Sequence, residues 1–135
     1  MSSPRRRRRR SGQGLVELAL ALPVLLLILL GTVDLGRMFF DYTEIRNAAR
    51  EGAGVGARNP ANVAGAVAAV NAHGIPNGST VTTACSGNCT AVNGTGIFEV
   101  TVSYTFTPVA TGFLATYFGI GAVPLQAKAA MRVMS

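Results

Sequence analysis

Residues able to activate a nucleophile, act as a general base or bind a metal ion are few and scattered in this sequence. It has one histidine, His73, and two cysteines, Cys85 and Cys89. A lone histidine near a helix end is more often a capping or surface residue than a metal ligand. The carboxylates of the C-terminal part form no pair at a spacing that suggests acid–base catalysis. The sequence therefore predicts no catalytic residue, no metal site and no cofactor.

The two cysteines are separated by three residues, in the segment Cys85-Ser86-Gly87-Asn88-Cys89. Structural zinc sites use a closer C-x2-C spacing and a second ligand pair, which this sequence lacks. Outside the cytoplasm, two cysteines this close indicate a disulfide. Closing so small a loop stabilises a fold by about 2 kcal/mol at most. We expect a disulfide that tightens the tip of a hairpin.

Glu17 is the acidic residue with the most unusual surroundings, because an uncharged run from Leu18 to Val33 follows it directly. Eight leucines in this run favour insertion into a bilayer. Counted from Gly14, a helix through Val33 rises about 30 Å, the thickness of the hydrocarbon core. Pro23 removes one backbone hydrogen bond and predicts a kink that membrane helices tolerate. Glu17 would lie near one interface, either as a solvated carboxylate or as an ion-pairing group.

The orientation of this membrane helix follows from the arginine block Arg5 to Arg10. These residues account for the whole net charge of +6, since six basic and six acidic residues balance in the remainder. Basic residues beside a span stay in the cytoplasm, so we expect residues 1–12 inside and the chain after Asp34 outside. Nucleic-acid binding by the block is a weaker interpretation, because no basic face or stacking aromatics follow. The other alternative, a cleaved signal peptide, would need a small-residue site that Gly31-Thr32-Val33-Asp34 matches poorly.

The segment Gly12-Gln13-Gly14-Leu15-Val16-Glu17 and the apolar run after it resemble the processing site of type IV pilin-like proteins. Together with Asn47-Ala48-Ala49-Arg50-Glu51-Gly52-Ala53, residues 11 to 56 resemble the TadE family of tight-adherence (Flp-type) pilus pseudopilins. In that family a basic leader ends in glycine, a membrane prepilin peptidase cuts after it, and a glutamate lies five residues beyond the cut.

The resemblance implies a cut between Gly12 and Gln13. It also implies that Glu17 sets subunit registry by pairing with the new N-terminal amine of a neighbouring subunit. Such a pairing would reduce the cost of placing a carboxylate in an apolar environment. The mature chain would begin with Gln13, whereas type IV pilins usually begin with phenylalanine. The implied partners are the membrane, the prepilin peptidase, and other pilin or pseudopilin subunits with their assembly machinery, and no nucleic acid.

After the membrane segment, apolar residues continue at three- and four-residue spacing and predict that the helix extends beyond the bilayer. Gly52, Gly54 and Gly56 are predicted to close it. Asp34, Arg37 and Asp41 are expected on the opposite side, where they can pair within one turn. The predicted apolar face, which would pack on the chain's own sheet or on other subunits, comprises Leu35, Met38, Phe39, Tyr42, Ile45 and Ala49.

The rest of the chain predicts a small α+β domain. Asn59-Pro60 is typical of a helix start, with Asn59 as N-cap, and the short helix is expected to end at Gly74. Thr80 to Ala84 has strand composition, and clear alternation follows from Phe98 to Phe106 and after Pro124. The segment Gly112 to Gly119 is expected to form a short helix or an apolar loop that touches the membrane.

The sequence thus predicts an α+β fold with a long N-terminal helix, half of it transmembrane, a short helix and an antiparallel sheet of three to four strands. Its expected divisions are a basic cytoplasmic leader, 1–12, a helix, 13–56, and an exported domain, 57–135. The expected function is that of a minor pilin-like structural subunit in the cell membrane, not an enzyme. A membrane-tethered extracytoplasmic binding module unrelated to pili is the alternative.

Overall fold

The computed structural model describes residues 12–90, 94–109, 119 and 121–134. Helix α1 spans Gln13–Arg58 and helix α2 spans Val63–Ala72, and three strands follow: β1, Thr80–Ser86, β2, Ile97–Phe106, and β3, Val123–Arg132. This is the α+β fold predicted from the sequence, with three strands in the sheet. The basic leader up to Ser11 and most of the segment Gly112 to Gly119 lie outside the described residues.

The sheet is antiparallel throughout, in the order β1-β2-β3. Alternation in β2 sorts its side chains onto two faces, as predicted. Phe98, Val100 and Val102 on one face are almost completely buried. On the opposite face Glu99 forms a salt bridge with Lys128 of β3, at 2.8 Å, in a solvated setting. β3 begins at Val123, so it includes Pro124, which an edge strand tolerates because its outer side needs no partner.

The sheet and helix α2 pack against the second half of α1, and the three together form the hydrophobic core. Small residues of α1, including Ala48, Ala49 and Ala53, are fully buried and allow the strands to approach the helix closely. β2 runs opposite to α1, since Phe98 packs near the C-terminal end of the helix and Phe106 lies near Arg37. The domain therefore has one end beside Asp34 and the other beside Arg58.

The predicted end of the long helix at its glycines is wrong, because α1 continues to Arg58. Gly52 and Gly56 are buried contact points within it. A Cβ at Gly56 would overlap the ring of Phe98, and one at Gly52 would overlap the side chain of Val70. Glycine is needed there for close approach, and packing against α2 at Gly52 and against the sheet at Gly56 offsets its low helix propensity.

The start of the short helix also differs from the prediction. Its N-cap is Asn62, whose side-chain oxygen accepts a hydrogen bond from the Gly65 amide at 2.9 Å, and not Asn59. Asn59 instead caps the end of α1, where its amide donates to the Val55 carbonyl. At the other end, Gly74 has φ of +72°, a conformation that favours glycine, in agreement with the predicted stop.

The assignment of residues to the two sides of α1 beyond the apolar run is partly wrong. On the predicted apolar face, Ile45 and Ala49 are buried against the domain, whereas Leu35 and Phe39 are 61% and 68% exposed and do not pack on the sheet, which the prediction had left open. Asp34, expected on the outer side, is only 7% exposed and faces the domain. A partner distant in sequence explains its burial and is described below.

Candidate functional site

The first part of α1 projects away from the domain. α1 is long and apolar enough to cross a membrane, and no residue of its most apolar window is buried inside the protein. The helix continues through Pro23. A soluble protein would bury such a surface in its core. The exposed apolar half of α1 is therefore the part of the described structure that requires a non-aqueous environment or partner helices.

Gly12 lies at the N-terminal boundary of this helix, immediately before its first residue, Gln13. Its backbone is helical, with φ −85° and ψ −28°, and its carbonyl accepts from the Val16 amide at 3.3 Å. A Cβ added at Gly12 would meet no atom within 4 Å. The described fold therefore contains no steric requirement for glycine at this position.

Glu17 lies one turn above Gln13 on the same side of α1, because residues four apart are neighbours on a helix. Its side chain is exposed among exposed leucines, including Leu18 and Leu20. Within residues 12–90 and the other described segments, it takes part in no salt bridge. In the mature form that the sequence predicts, a free amine at Gln13 would lie one turn from this carboxylate.

Asp34 joins the helix to the sheet where the domain begins. Its carboxylate oxygen accepts a hydrogen bond from the backbone N–H of Val109, just after β2, at 2.9 Å. The same oxygen lies 3.6 Å from the guanidinium of Arg37. Asp34 and Arg37 therefore form the ion pair within one helical turn that the sequence predicted. Arg37 in turn lies over the ring of Phe106, 5.7 Å from its centre, a cation–π arrangement. We call these four residues the junction.

Sequence reasoning missed the junction as a unit. The spacing of Asp34 and Arg37 indicates that they can pair, but nothing local indicates that Asp34 is buried or that a distant backbone amide binds it. The signal that could have suggested it is an acidic residue directly after an apolar run, since such a carboxylate is costly unless it is satisfied.

Cys85 and Cys89 are joined by a disulfide in the structure. Cys85 is the second-last residue of β1 and pairs with Phe98 of β2, so the bridge lies at the end of the domain far from the junction. In the loop it closes, the Asn88 carbonyl accepts a hydrogen bond from the Gly96 amide at 2.8 Å. The bridge and Glu17 are at opposite ends of the molecule and form no common site.

His73 is exposed at the C-cap of α2, the surface or capping position expected of it. In the described part of the chain, no group of three or more histidine, cysteine or acidic side chains could hold a metal ion. The residues singled out from the sequence therefore do not converge on a centre for chemistry. Their arrangement is that of an anchoring helix with a folded domain.

A protein-family model described as TadE-like protein matches residues 12–54, which include most of α1. Over these residues the chain is similar to the TadE-like family. The matched range begins at Gly12, includes Glu17 and the junction residues Asp34 and Arg37, and ends beneath the sheet. It confirms the family resemblance predicted from the sequence.

The TadE-like match implies association with the tight-adherence pilus system and a structural class of protein. It also agrees with the presence, among the residues that the structure describes, of one helix long and apolar enough to cross a membrane. Neither the curated proteins nor the solved structures contain a match to this chain. The α+β domain beyond residue 54 lies outside the matched range.

Proposed function

We propose that this protein is a minor pilin-like subunit of a tight-adherence (Flp-type) pilus, anchored in the cell membrane by the first half of α1. Residues 1–12 stay in the cytoplasm and the α+β domain lies outside. The observation that carries the proposal is the exposed apolar half of a TadE-like helix with Glu17 near its start. Such a helix can lie in a bilayer and can also pack against the helices of other subunits.

A prepilin peptidase is proposed to cut the chain between Gly12 and Gln13. The exposed position of Gly12 supports this proposal, because nothing in the described fold requires glycine there. The need for glycine at this position would then come from the peptidase, because its active site must accommodate the peptide bond that it cuts. Glycine also leaves the backbone free to unwind from the helix end into an extended conformation for cleavage.

Glu17 is proposed to set the registry between packed helices. A carboxylate within an apolar helix surface is costly in a bilayer unless it is paired. The amine released at Gln13 of a neighbouring subunit supplies the opposite charge. An ion pair in an apolar environment is a stronger determinant of alignment than of affinity, since desolvation offsets much of the attraction. The pair would fix the vertical offset of adjacent subunits.

The folded domain supports assignment to the minor class. Major pilins of the resembled family are short and almost wholly helical, whereas this chain places three strands and a second helix on α1. A filament built mainly from such subunits would have to accommodate a domain on every helix. A subunit present in few copies, which helps assembly, has no such restriction.

A gene-replacement experiment tests the function. In a bacterium that carries this gene with tight-adherence pilus genes, its deletion is expected to abolish or sharply reduce surface pili counted by electron microscopy. Wild-type protein should restore them, and a chain whose Gly12 is replaced by a bulky residue should not. Normal piliation without the protein would contradict the role in assembly and would favour the tethered binding module.

A further inference from the structure

We propose that the base of the domain rests in the outer surface of the lipid bilayer, through an apolar collar formed by Leu35, Phe39, Phe40 and Val109. The four side chains are exposed by 61%, 68%, 61% and 64% of their surface. All lie at the junction end of the domain, on α1 shortly after the apolar run or, for Val109, in the segment that follows β2. This proposal depends on α1 crossing a membrane and is independent of any role in a pilus.

Helix length places the collar at the correct height. From Glu17 to Leu35 the helix rises about 27 Å, and from Glu17 to Phe40 about 35 Å. The hydrocarbon core is about 30 Å thick, with headgroups on each side bringing the bilayer to about 40–45 Å. With Glu17 at the cytoplasmic edge of the hydrocarbon, the collar brackets the outer edge. A tilt of about 20° lowers these heights by only about 2 Å and leaves the collar at that edge.

The arrangement of the collar around α1 favours lipid over a protein partner. Successive helical residues are about 100° apart, so Leu35, Phe39 and Phe40 cover an arc of about 140°. The domain occupies the direction marked by the buried residues Asp34 and Ile45. A single packed helix would cover a narrower stripe, whereas lipid contacts every direction that the domain leaves open.

The charged side chains near the collar are paired or turned into the domain, as contact with a lipid surface requires. Between Glu17 and Asp41 the only charged residues are Asp34 and Arg37, and they pair with each other. Asp34 is turned into the domain and bound to the Val109 amide. Arg37 is half exposed, and a long arginine side chain can reach the headgroups from such a position. The collar therefore presents apolar surface without an unsatisfied carboxylate.

The experiment uses the absence of tryptophan from the sequence, which makes any introduced tryptophan a unique fluorescent reporter. Single variants Phe39→Trp and Phe40→Trp report on the collar, and Leu25→Trp reports on the middle of the span. Met134→Trp, at the opposite end of the domain and also 64% exposed, is the matched control. Each full-length variant is reconstituted in phosphatidylethanolamine–phosphatidylglycerol vesicles, with phospholipids brominated either near the headgroup or deep in the acyl chain.

The collar reporters are expected to lose emission by about two-fold with the shallow bromines and less with the deep ones, as interfacial aromatic rings do. Leu25→Trp should show the reverse order of quenching, and Met134→Trp should lose almost nothing. Two results would overturn the proposal. One is collar reporters that match Met134→Trp, which places them in water. The other is blue-shifted emission that no brominated lipid quenches, which means that protein covers them.

Discussion

The carboxylate of Asp34 accepts a hydrogen bond from the backbone amide of Val109 at 2.9 Å, although 75 positions separate the two residues in sequence. Asp34 ends the uncharged run of α1, and Val109 follows the last residues of β2. The bond therefore connects the end of the apolar run of α1 to the segment that follows β2. It fixes the domain on α1 at the end where the helix leaves the proposed bilayer.

Replacing Asp34 with alanine is expected to destabilise the domain by about 1–3 kcal/mol, because the Val109 amide loses its acceptor and Arg37 its ion-pair partner. Denaturation of the full chain in detergent, followed by tyrosine fluorescence, measures the change. Asp41→Ala, on a half-exposed residue of the same helix, is the matched control and should shift stability by about 0.5 kcal/mol or less. Equal midpoints for the two variants would show that the junction contributes nothing.

Alanine substitutions at two glycines of α1 should have opposite effects. At Gly56 the new methyl group overlaps the buried ring of Phe98. Gly56→Ala is therefore expected to lower the free energy of unfolding by about 1–3 kcal/mol. At Gly54 it meets only the sulfur of Met131 at an ordinary distance of 3.7 Å. There the gain in helix propensity should stabilise by about 0.5–1 kcal/mol. If both variants gained stability in the same denaturation assay, the packing of β2 on α1 would be incorrect.

Replacing Glu17 with glutamine removes the charge and keeps the shape. Membrane insertion is expected to be unchanged, because a neutral side chain is easier to insert than a charged one. Association with other pilin-like subunits should weaken by about five-fold, the change that about 1 kcal/mol of lost pairing gives. Co-purification from membranes measures it, and Glu17→Asp, which keeps the charge, is the control. Undiminished co-purification of Glu17→Gln would count against the proposed registry role.

The cysteine pair tests the orientation of the chain. If the domain is exported, Cys85 and Cys89 are expected to be oxidised, and a thiol-specific maleimide should label neither residue before reduction. Cys85→Ser is expected to lower the free energy of unfolding by about 2 kcal/mol at most, because the loop that the disulfide closes is short. Leu25→Cys, in the span, is a control that should be labelled after solubilisation in detergent. Labelling of both native cysteines without reductant would place the domain in the cytoplasm.

The regular elements could be predicted from the sequence because their signals are local. The alternation from Phe98 to Phe106 identified β2 to within one residue, and Gly74 marked the end of the short helix. The apolar run likewise predicted a helix long enough to span a membrane, and together with the segments Gly12 to Glu17 and Asn47 to Ala53 it carried the TadE resemblance. In each case neighbours in sequence carry the pattern, so no knowledge of the tertiary contacts is needed.

The errors arose where distant contacts decide the outcome. Gly56 was expected to help end the helix, but the ring of Phe98 packs against it and α1 continues. The periodicity of Leu35 and Phe39 left open whether they pack on the chain's own sheet or on other subunits, and their exposed side chains show that they do not pack on the sheet. Asp34 was expected on the outer side, since the amide that binds it cannot be inferred from its own surroundings.

The most direct test of the central claim is the intact mass of the protein recovered from membranes of a strain that carries its prepilin peptidase. The account predicts a chain that begins at Gln13 and retains the whole of α1. The same chain with Gly12 replaced by a bulky residue should keep its leader. A wild-type chain beginning at Met1 or Ser2, or one that has lost the apolar run as well, would contradict the account.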